Sequence, residues 1–199
     1  MELPGRTRST GWIEGIVLEV IRALNKIKVA GVISDYAIGG AIAASFYIEA
    51  VNTEDIDAFV FMSAPEGSLL LSLSPIYEAL IHLGGVIKKE YIYFGDWPLQ
   101  ILPAYNDLME EAVIEAQSAT FQGEPVRILS PEFLCAVALD TKRLKDFFRV
   151  ASFIEQHAVS KRKLIRLVEK YELSEQTVRV PNWGDLKNGD DDVDDPKPC

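Results

Sequence analysis

Two stretches lie close together: Tyr36-Ala37-Ile38-Gly39-Gly40-Ala41-Ile42-Ala43-Ala44, then Asn52-Thr53-Glu54-Asp55-Ile56-Asp57-Ala58-Phe59-Val60-Phe61-Met62. The first reads as a short strand running into a small-residue turn. The second is a strand opening on two carboxylates. Residues two apart in a strand share a face. Asp55 and Asp57 therefore project together at the strand mouth, with Phe59 and Phe61 continuing their face. Ile56, Ala58, Val60 and Met62 form the other face. A strand that is apolar on both sides past its start is covered by helices, which favours an α/β sandwich over a half-exposed sheet.

The like charges of Asp55 and Asp57 repel. A divalent cation is the simplest partner that holds them together, and Mg2+ with nucleotide phosphates is the commonest reason for building such a pair. An Asp-x-Asp or a Gly-Gly alone says little. In this order they place backbone N–H groups beside convergent carboxylates, an arrangement suited to phosphate oxygens and a bridging metal.

The rest of the chain supports this frame. Residues 12–30 carry helical apolar spacing through Ile13, Ile16, Val17, Val20, Ile21, Leu24 and Ile27. Residues 41–49 read as a helix packed through Ala41, Ala43 and Ala44. Pro65-Glu66-Gly67 reads as a turn. Ser74-Pro75 starts a helix that stops at Gly84-Gly85. Strands are expected over 86–94 and 98–102, an amphipathic helix over 106–119, and a strand at Val126–Leu129. Ser130-Pro131-Glu132 repeats the helix-start signal, and the chain is then helical to about Tyr171 in three segments. The expected layout is a loose N-terminus at 1–11, an α/β core at 12–129, a helical region at 130–177 and a disordered acidic tail at 182–199.

The 199 residues, 48% hydrophobic and 25% charged, suffice for one domain or a compact domain with a small helical extension. No apolar run is long enough for a membrane span, and the N-terminus lacks a secretory apolar core. Cys135 and Cys199 support neither a disulfide framework nor a thiolate metal site, so a reducing cytoplasm is the expected compartment. The net charge of −10 argues against broad nucleic-acid binding. It conceals a basic segment from Lys142 to Lys170, read either as a solvated helical face or as a local positive surface.

On the quoted Gly-Gly and Asp-x-Asp stretches, together with Ser130-Pro131-Glu132-Phe133-Leu134-Cys135-Ala136-Val137-Ala138-Leu139-Asp140-Thr141-Lys142-Arg143-Leu144-Lys145-Asp146, the chain resembles the nucleotidyltransferase superfamily. Within it, the chain is similar to the small toxin proteins of AbiE-type abortive-infection systems. The resemblance spans about residues 12–175. It implies an α/β fold, a nucleotidyltransferase-like mixed β-sheet with flanking helices, followed by a C-terminal helical region.

The resemblance also implies site roles. Gly39 and Gly40 would bind the triphosphate of an incoming nucleoside triphosphate, with Arg143 and Lys145 also directed at it. Asp55 and Asp57 would hold Mg2+ or Mn2+. The acceptor would be a hydroxyl on RNA, protein or a small molecule, and an antitoxin-like protein is an implied partner. Active relatives carry a third acid on a later strand. The run Pro98–Pro103 corresponds to that strand and offers Gln100, a neutral group that cannot take a proton. Asp96 is the nearest acid, in a turn. Relatives often have lysine where this chain has Ala138.

The expected function is thus Mg2+-dependent nucleotidyl transfer. The alternative is a catalytically weak domain of the same fold that binds a nucleotide or a partner protein. A purely structural α/β domain would leave the two aspartates as incidental strand-end acids. His82 and His157 read as helix-surface or core histidines. Trp97, Tyr91 and Tyr93 have rings able to stack on a base, but sheet packing is the better reading. Trp183 tucks in the end of the fold.

Overall fold

The structure, a computed structural model, describes residues 10–49, 53–62, 72–89 and 91–188. A seven-stranded mixed sheet forms the centre, in the order β3-β4-β5-β2-β1-β7-β6. The strands are β1 (Asp35–Ile38), β2 (Ile56–Phe61), β3 (Val86–Lys88), β4 (Tyr91–Phe94), β5 (Trp97–Pro103), β6 (Gln117–Phe121) and β7 (Glu124–Ile128). β2 lies antiparallel to β1 and parallel to β5. β1 runs parallel to β7, and the outer pairs are antiparallel hairpins.

The two faces of β2 have different neighbours. Tyr36 is opposite Val60 in the β1–β2 ladder, and Ile38 is opposite Ala58. The Tyr36 hydroxyl donates to Asn25 Oδ1 at 2.7 Å. This bond holds α1 (Thr10–Val29) against the face carrying Ile56, Ala58 and Val60, all fully buried. Tyr36 is buried there, and desolvation pushes its ionisation well above the usual tyrosine range. The opposite face, with Asp57 and Phe59, looks toward α2 (Gly40–Ala44), α4 (Asp107–Ile114) and α5 (Pro131–Thr141).

Polar clamps tie the chain together. Asp35 accepts from Lys28 at 2.7 Å and from Arg127. Arg127 Nη2 also donates to the carbonyls of Val113, Ile114 and Ala116, satisfying the open end of α4. Asn106 caps the other end of α4 through Met109 N. Ser130 caps α5 through Phe133 N, with Pro131 in its first turn. Buried Glu132 joins α5 to the start of α7 (Lys161–Lys170). Its Oε2 accepts from Ser130 Oγ at 3.1 Å and its Oε1 from the backbone N–H of Ser160 at 2.7 Å.

Several sequence expectations need correction. α2 ends at Ala44, and turns occupy the rest of the stretch to residue 49. The stretch 86–94 is two strands, because Lys89 takes a left-handed φ of 60° and turns the chain. The helix expected over 106–119 stops at Ile114. Gln117–Phe121 instead forms the edge strand β6 on β7, a pairing that helical periodicity does not reveal. The helix after residue 73, α3 (Ser74–His82), begins without a side-chain cap from Ser74. The Pro65–Gly67 turn lies outside the described residues.

Three helices, α5, α6 (Leu144–Glu155) and α7, occupy the predicted helical region, followed by α8 (Ser174–Thr177). A further short helix, α9 (Trp183–Asn188), lies inside the stretch read as acidic tail. Trp183 and Leu186 are buried in the single hydrophobic core that joins sheet and helices. The run beyond residue 188 lies outside the described residues. Among the described residues no helix is long and apolar enough to cross a membrane.

Trp183 is 9% exposed. Trp183→Ala should therefore cost about 3 kcal/mol of folding stability, measured by urea titration. A cost below about 1 kcal/mol would show that α9 contributes little to the fold.

Candidate active site

The β1–β2 ladder ends where the site begins. Gly39 N–H donates to Asp57 O at 2.9 Å, carrying the pairing one residue past Ile38. The chain then turns sharply at Gly40, whose φ is +56°. A β-carbon at position 40 would stand 2.0 Å from Asp57 Oδ2. The carboxylate therefore rests against the bare backbone of Gly40, and only glycine combines that φ with that approach. Gly39 is constrained differently: a β-carbon there would fall 2.4 Å from the Phe59 ring.

Gly40 lines a cleft of about 710 Å³ together with Asp55, Asp57 and Gln100. Gly39 does not line it, and its N–H is taken by Asp57. Of the two expected phosphate-cradling glycines, only Gly40 faces the opening. The first N–H groups of α2, from Gly40 and Ala41, have no intrahelical carbonyl behind them.

Position 100 stands beside Asp57. The parallel β2–β5 register pairs Asp57 with Gln100 and Phe59 with Leu102. The neighbour of Asp57 on β5 is thus an amide. Asp96 does not replace it: it is exposed in the β4–β5 turn and does not line the cleft.

Across the cleft lies α6, where Arg143, Lys145 and Arg149 line the opposite wall. Asp146 organises the two arginines. Its side chain is 1% exposed and accepts from Thr141 Oγ1 at 2.6 Å, Arg143 Nε at 2.5 Å and Arg149 Nη1 at 3.4 Å. Lys142 takes a left-handed φ of 59° between α5 and α6, which brings Thr141 back onto Asp146. A buried carboxylate with three donors is a fixed anchor, and it holds two guanidinium groups at the cleft edge. Lys145 has no carboxylate partner among the described residues. Ala138 lines the cleft as well and supplies no charge there.

The electrostatics follow from this packing. Burial pushes the Asp57 carboxyl up to about 6, and the neighbouring Asp55 charge adds to the rise. Arg143, Arg149 and Lys145 pull in the other direction but do not cancel it. No cluster of three or more His, Cys, Asp or Glu occurs among the described residues. The donor set nevertheless suits Mg2+ or Mn2+, which take one or two protein carboxylates and fill the remaining positions with phosphate oxygens and water. The excess negative charge at Asp57 is what a cation there would relieve.

Some residues of the cleft were not singled out from sequence. Thr141 contributes only through its contact with Asp146 across a turn. Tyr105 lines the far end. Tyr91, Tyr93 and Trp97, the rings considered for stacking, do not line the cleft; Tyr93 instead carries Lys88 over its face. His82 and His157 are exposed and away from it.

No family model matches the sequence, and no curated protein matches it. Solved structures do. One is the solution structure of the antibiotic-resistance factor ANT(2'')-Ia, with a TM-score of 0.54 and 16% identity over 84% of this chain and 95% of that one. Another is an antigenic nucleotidyltransferase-like protein from Paracoccidioides brasiliensis, with a TM-score of 0.53 and 18% identity over 82% of this chain and 92% of that one. The chain therefore has a nucleotidyltransferase-like fold.

Two outcomes follow from the charge balance. An aspartate whose value is raised by folding opposes stability once ionised. That penalty sets in as the pH climbs from about 4 toward 6 and is complete above it. Asp57→Asn should therefore stabilise the metal-free protein at pH 7.5 by about 1–3 kcal/mol, read as a higher melting temperature. Protons should also compete with Mn2+ for this carboxylate. Calorimetry should show affinity falling about tenfold per pH unit below pH 6, and a flat profile from pH 5 to 7 would contradict the assignment.

Proposed function

We propose that this chain is a Mg2+- or Mn2+-dependent nucleotidyltransferase. It moves a nucleoside monophosphate from a nucleoside triphosphate to an acceptor hydroxyl on RNA, protein or a small molecule. The observation that carries this reading is the Asp55–Asp57 pair, with Asp57 packed on the Gly40 turn, sharing one cleft with Arg143, Lys145 and Arg149. The nucleotidyltransferase-like fold supports it.

Asp55 and Asp57 would hold the metal, which would supply positive charge to the reacting phosphate. The N–H groups of Gly40 and Ala41 offer donors to phosphate oxygens on the α2 side. Arg143 and Arg149, fixed by Asp146, and Lys145 beside them offer positive charge from the α6 side. The acceptor oxygen attacks the α-phosphorus in line. An O–P bond forms, the bond to the β-phosphate breaks, and pyrophosphate leaves with the electron pair. Gln100 can orient the acceptor by hydrogen bonding but cannot take its proton, which passes to solvent. Turnover is correspondingly slow. The similarity to AbiE-type toxins extends the reading to a cytoplasmic protein held in check by an antitoxin-like partner.

The amide beside Asp57 favours a second reading, a weakly active or inactive domain retained to bind nucleotide or a partner protein. Incubation with each α-labelled nucleoside triphosphate, Mg2+ or Mn2+, and total RNA or protein separates the two. The first reading expects label transfer, at least 100-fold lower in Asp57→Ala and about tenfold higher in Gln100→Asp. Binding without transfer in every arm selects the second. Wild-type turnover in Asp57→Ala would place the chemistry elsewhere.

A further inference from the structure

α7 carries its charge the wrong way round. Its apolar stripe, Leu164, Leu167 and Val168, is buried against the core. Its first turn reads Lys161-Arg162-Lys163, with no acid, and Ser160 makes no side-chain cap. A helix N-terminus already bears partial positive charge, and its first N–H groups have no intrahelical acceptor. Arg166 adds a like charge one turn beyond Arg162, and both are exposed. Among the described residues neither arginine pairs with a carboxylate. Buried Glu132 is committed to Ser130 and to the Ser160 N–H. The one acid of α7 itself, Glu169, stands in the last turn, where a cation would suit the dipole better. This end of the helix calls for several negative charges.

We propose that the aspartate run 190–195 of this same chain docks on the first turn of α7, at Lys161, Arg162, Lys163 and Arg166, and closes this basic face to other polyanions. The run holds Asp190, Asp191, Asp192, Asp194 and Asp195, and it follows directly on α9. The chain leading into α9 is tied to α6. Arg179 lays its guanidinium over the Phe147 ring at 4.9 Å, and Asn182 Nδ2 donates to the Ala151 carbonyl at 3.3 Å. From 179 to 182 the chain thus advances toward the end of α6 from which α7 begins. The intervening turn is closed by Ala158 N–H on the Phe153 carbonyl. Along that path Ala151 and Lys161 are at most about 20 Å apart, and the run extends up to about 25 Å beyond Asn188. It can therefore reach the first turn of α7. A single exposed ion pair contributes little, but several on one tethered segment act together. The cations of α6 are a poorer partner, because Glu49, Glu54, Asp55 and Asp57 line the same cleft and repel an acidic segment. The inference stands apart from the nucleotide reading of that cleft.

The test has two arms, both on the full chain. Carbodiimide coupling at low salt, read by mass spectrometry, joins carboxylates to lysines in contact, with the Lys170–Glu111 pair at 2.7 Å as internal reference. Expected are links within one molecule from Asp190–Asp195 to Lys161 or Lys163, lost in about 1 M salt, where the screening length falls to about 3 Å. The second arm is binding to heparin. Asp190→Asn, with the same change at Asp191, Asp192, Asp194 and Asp195, should raise heparin affinity by about fivefold or more, since a tethered competitor is removed. Adding Arg162→Gln and Arg166→Gln should abolish most of that gain. Links that concentrate on Lys142 or Lys145, links between two copies, or no links beyond the neighbouring Lys187 would overturn the proposal. So would a gain in heparin affinity that survives the two arginine changes undiminished, because net charge alone would then account for it.

Discussion

The site depends on one close packing contact, the Asp57 carboxylate against the backbone of Gly40. The strand register brings it about, because Gly39 continues the β1–β2 ladder onto the Asp57 carbonyl. The next residue must then turn within van der Waals reach of the Asp57 side chain. Any side chain at position 40 would occupy the space that the carboxylate fills. This contact withdraws Asp57 from water while Asp55 keeps a second negative charge nearby. The fold thus holds a carboxylate in an environment that disfavours its ionised form. Such local opposition to stability is characteristic of sites whose charge is completed by a ligand.

The helical half is built to serve the same cleft. Asp146 carries no solvent exposure to speak of and spends its oxygens on Thr141, Arg143 and Arg149. The two arginines facing Asp57 are therefore positioned by a buried anchor. Glu132 performs a corresponding structural task at the other end of α5, joining its first turn to α7. α5 lies between these two buried acids, and its apolar face roofs the cleft. Sheet and helices share one core, so the cleft is an internal seam of a single packed body.

Much of this was legible in the sequence where local chemistry decides the outcome. The alternation from Asp55 to Phe61 marks the central strand, the paired glycines mark the turn, and Ser130-Pro131 marks the start of α5. Gln100 was identifiable as a neutral residue on the strand after the Gly95 turn, although its register opposite Asp57 emerged only from the sheet. What was not legible depends on partners distant in the chain. Gln117–Phe121 is a strand because β7 offers an edge, not because its residues alternate strongly. Asp146 reads as a surface acid among basic residues, and its burial follows from the α5–α6 turn. Asp96 was close to Gln100 in sequence but stays outside the cleft, since a hairpin turn carries it past the end of the strand. Tyr105 gave no signal, because an exposed tyrosine after a strand is unremarkable until a cleft is known to end there.

The most direct test of the account is a crystal structure with Mn2+ and a non-hydrolysable nucleoside triphosphate, read by anomalous scattering. A manganese peak is expected within about 2.2 Å of carboxylate oxygens of both Asp55 and Asp57, with triphosphate oxygens beside Gly40. A nucleotide bound elsewhere, or a manganese ion that touches neither aspartate, would contradict it.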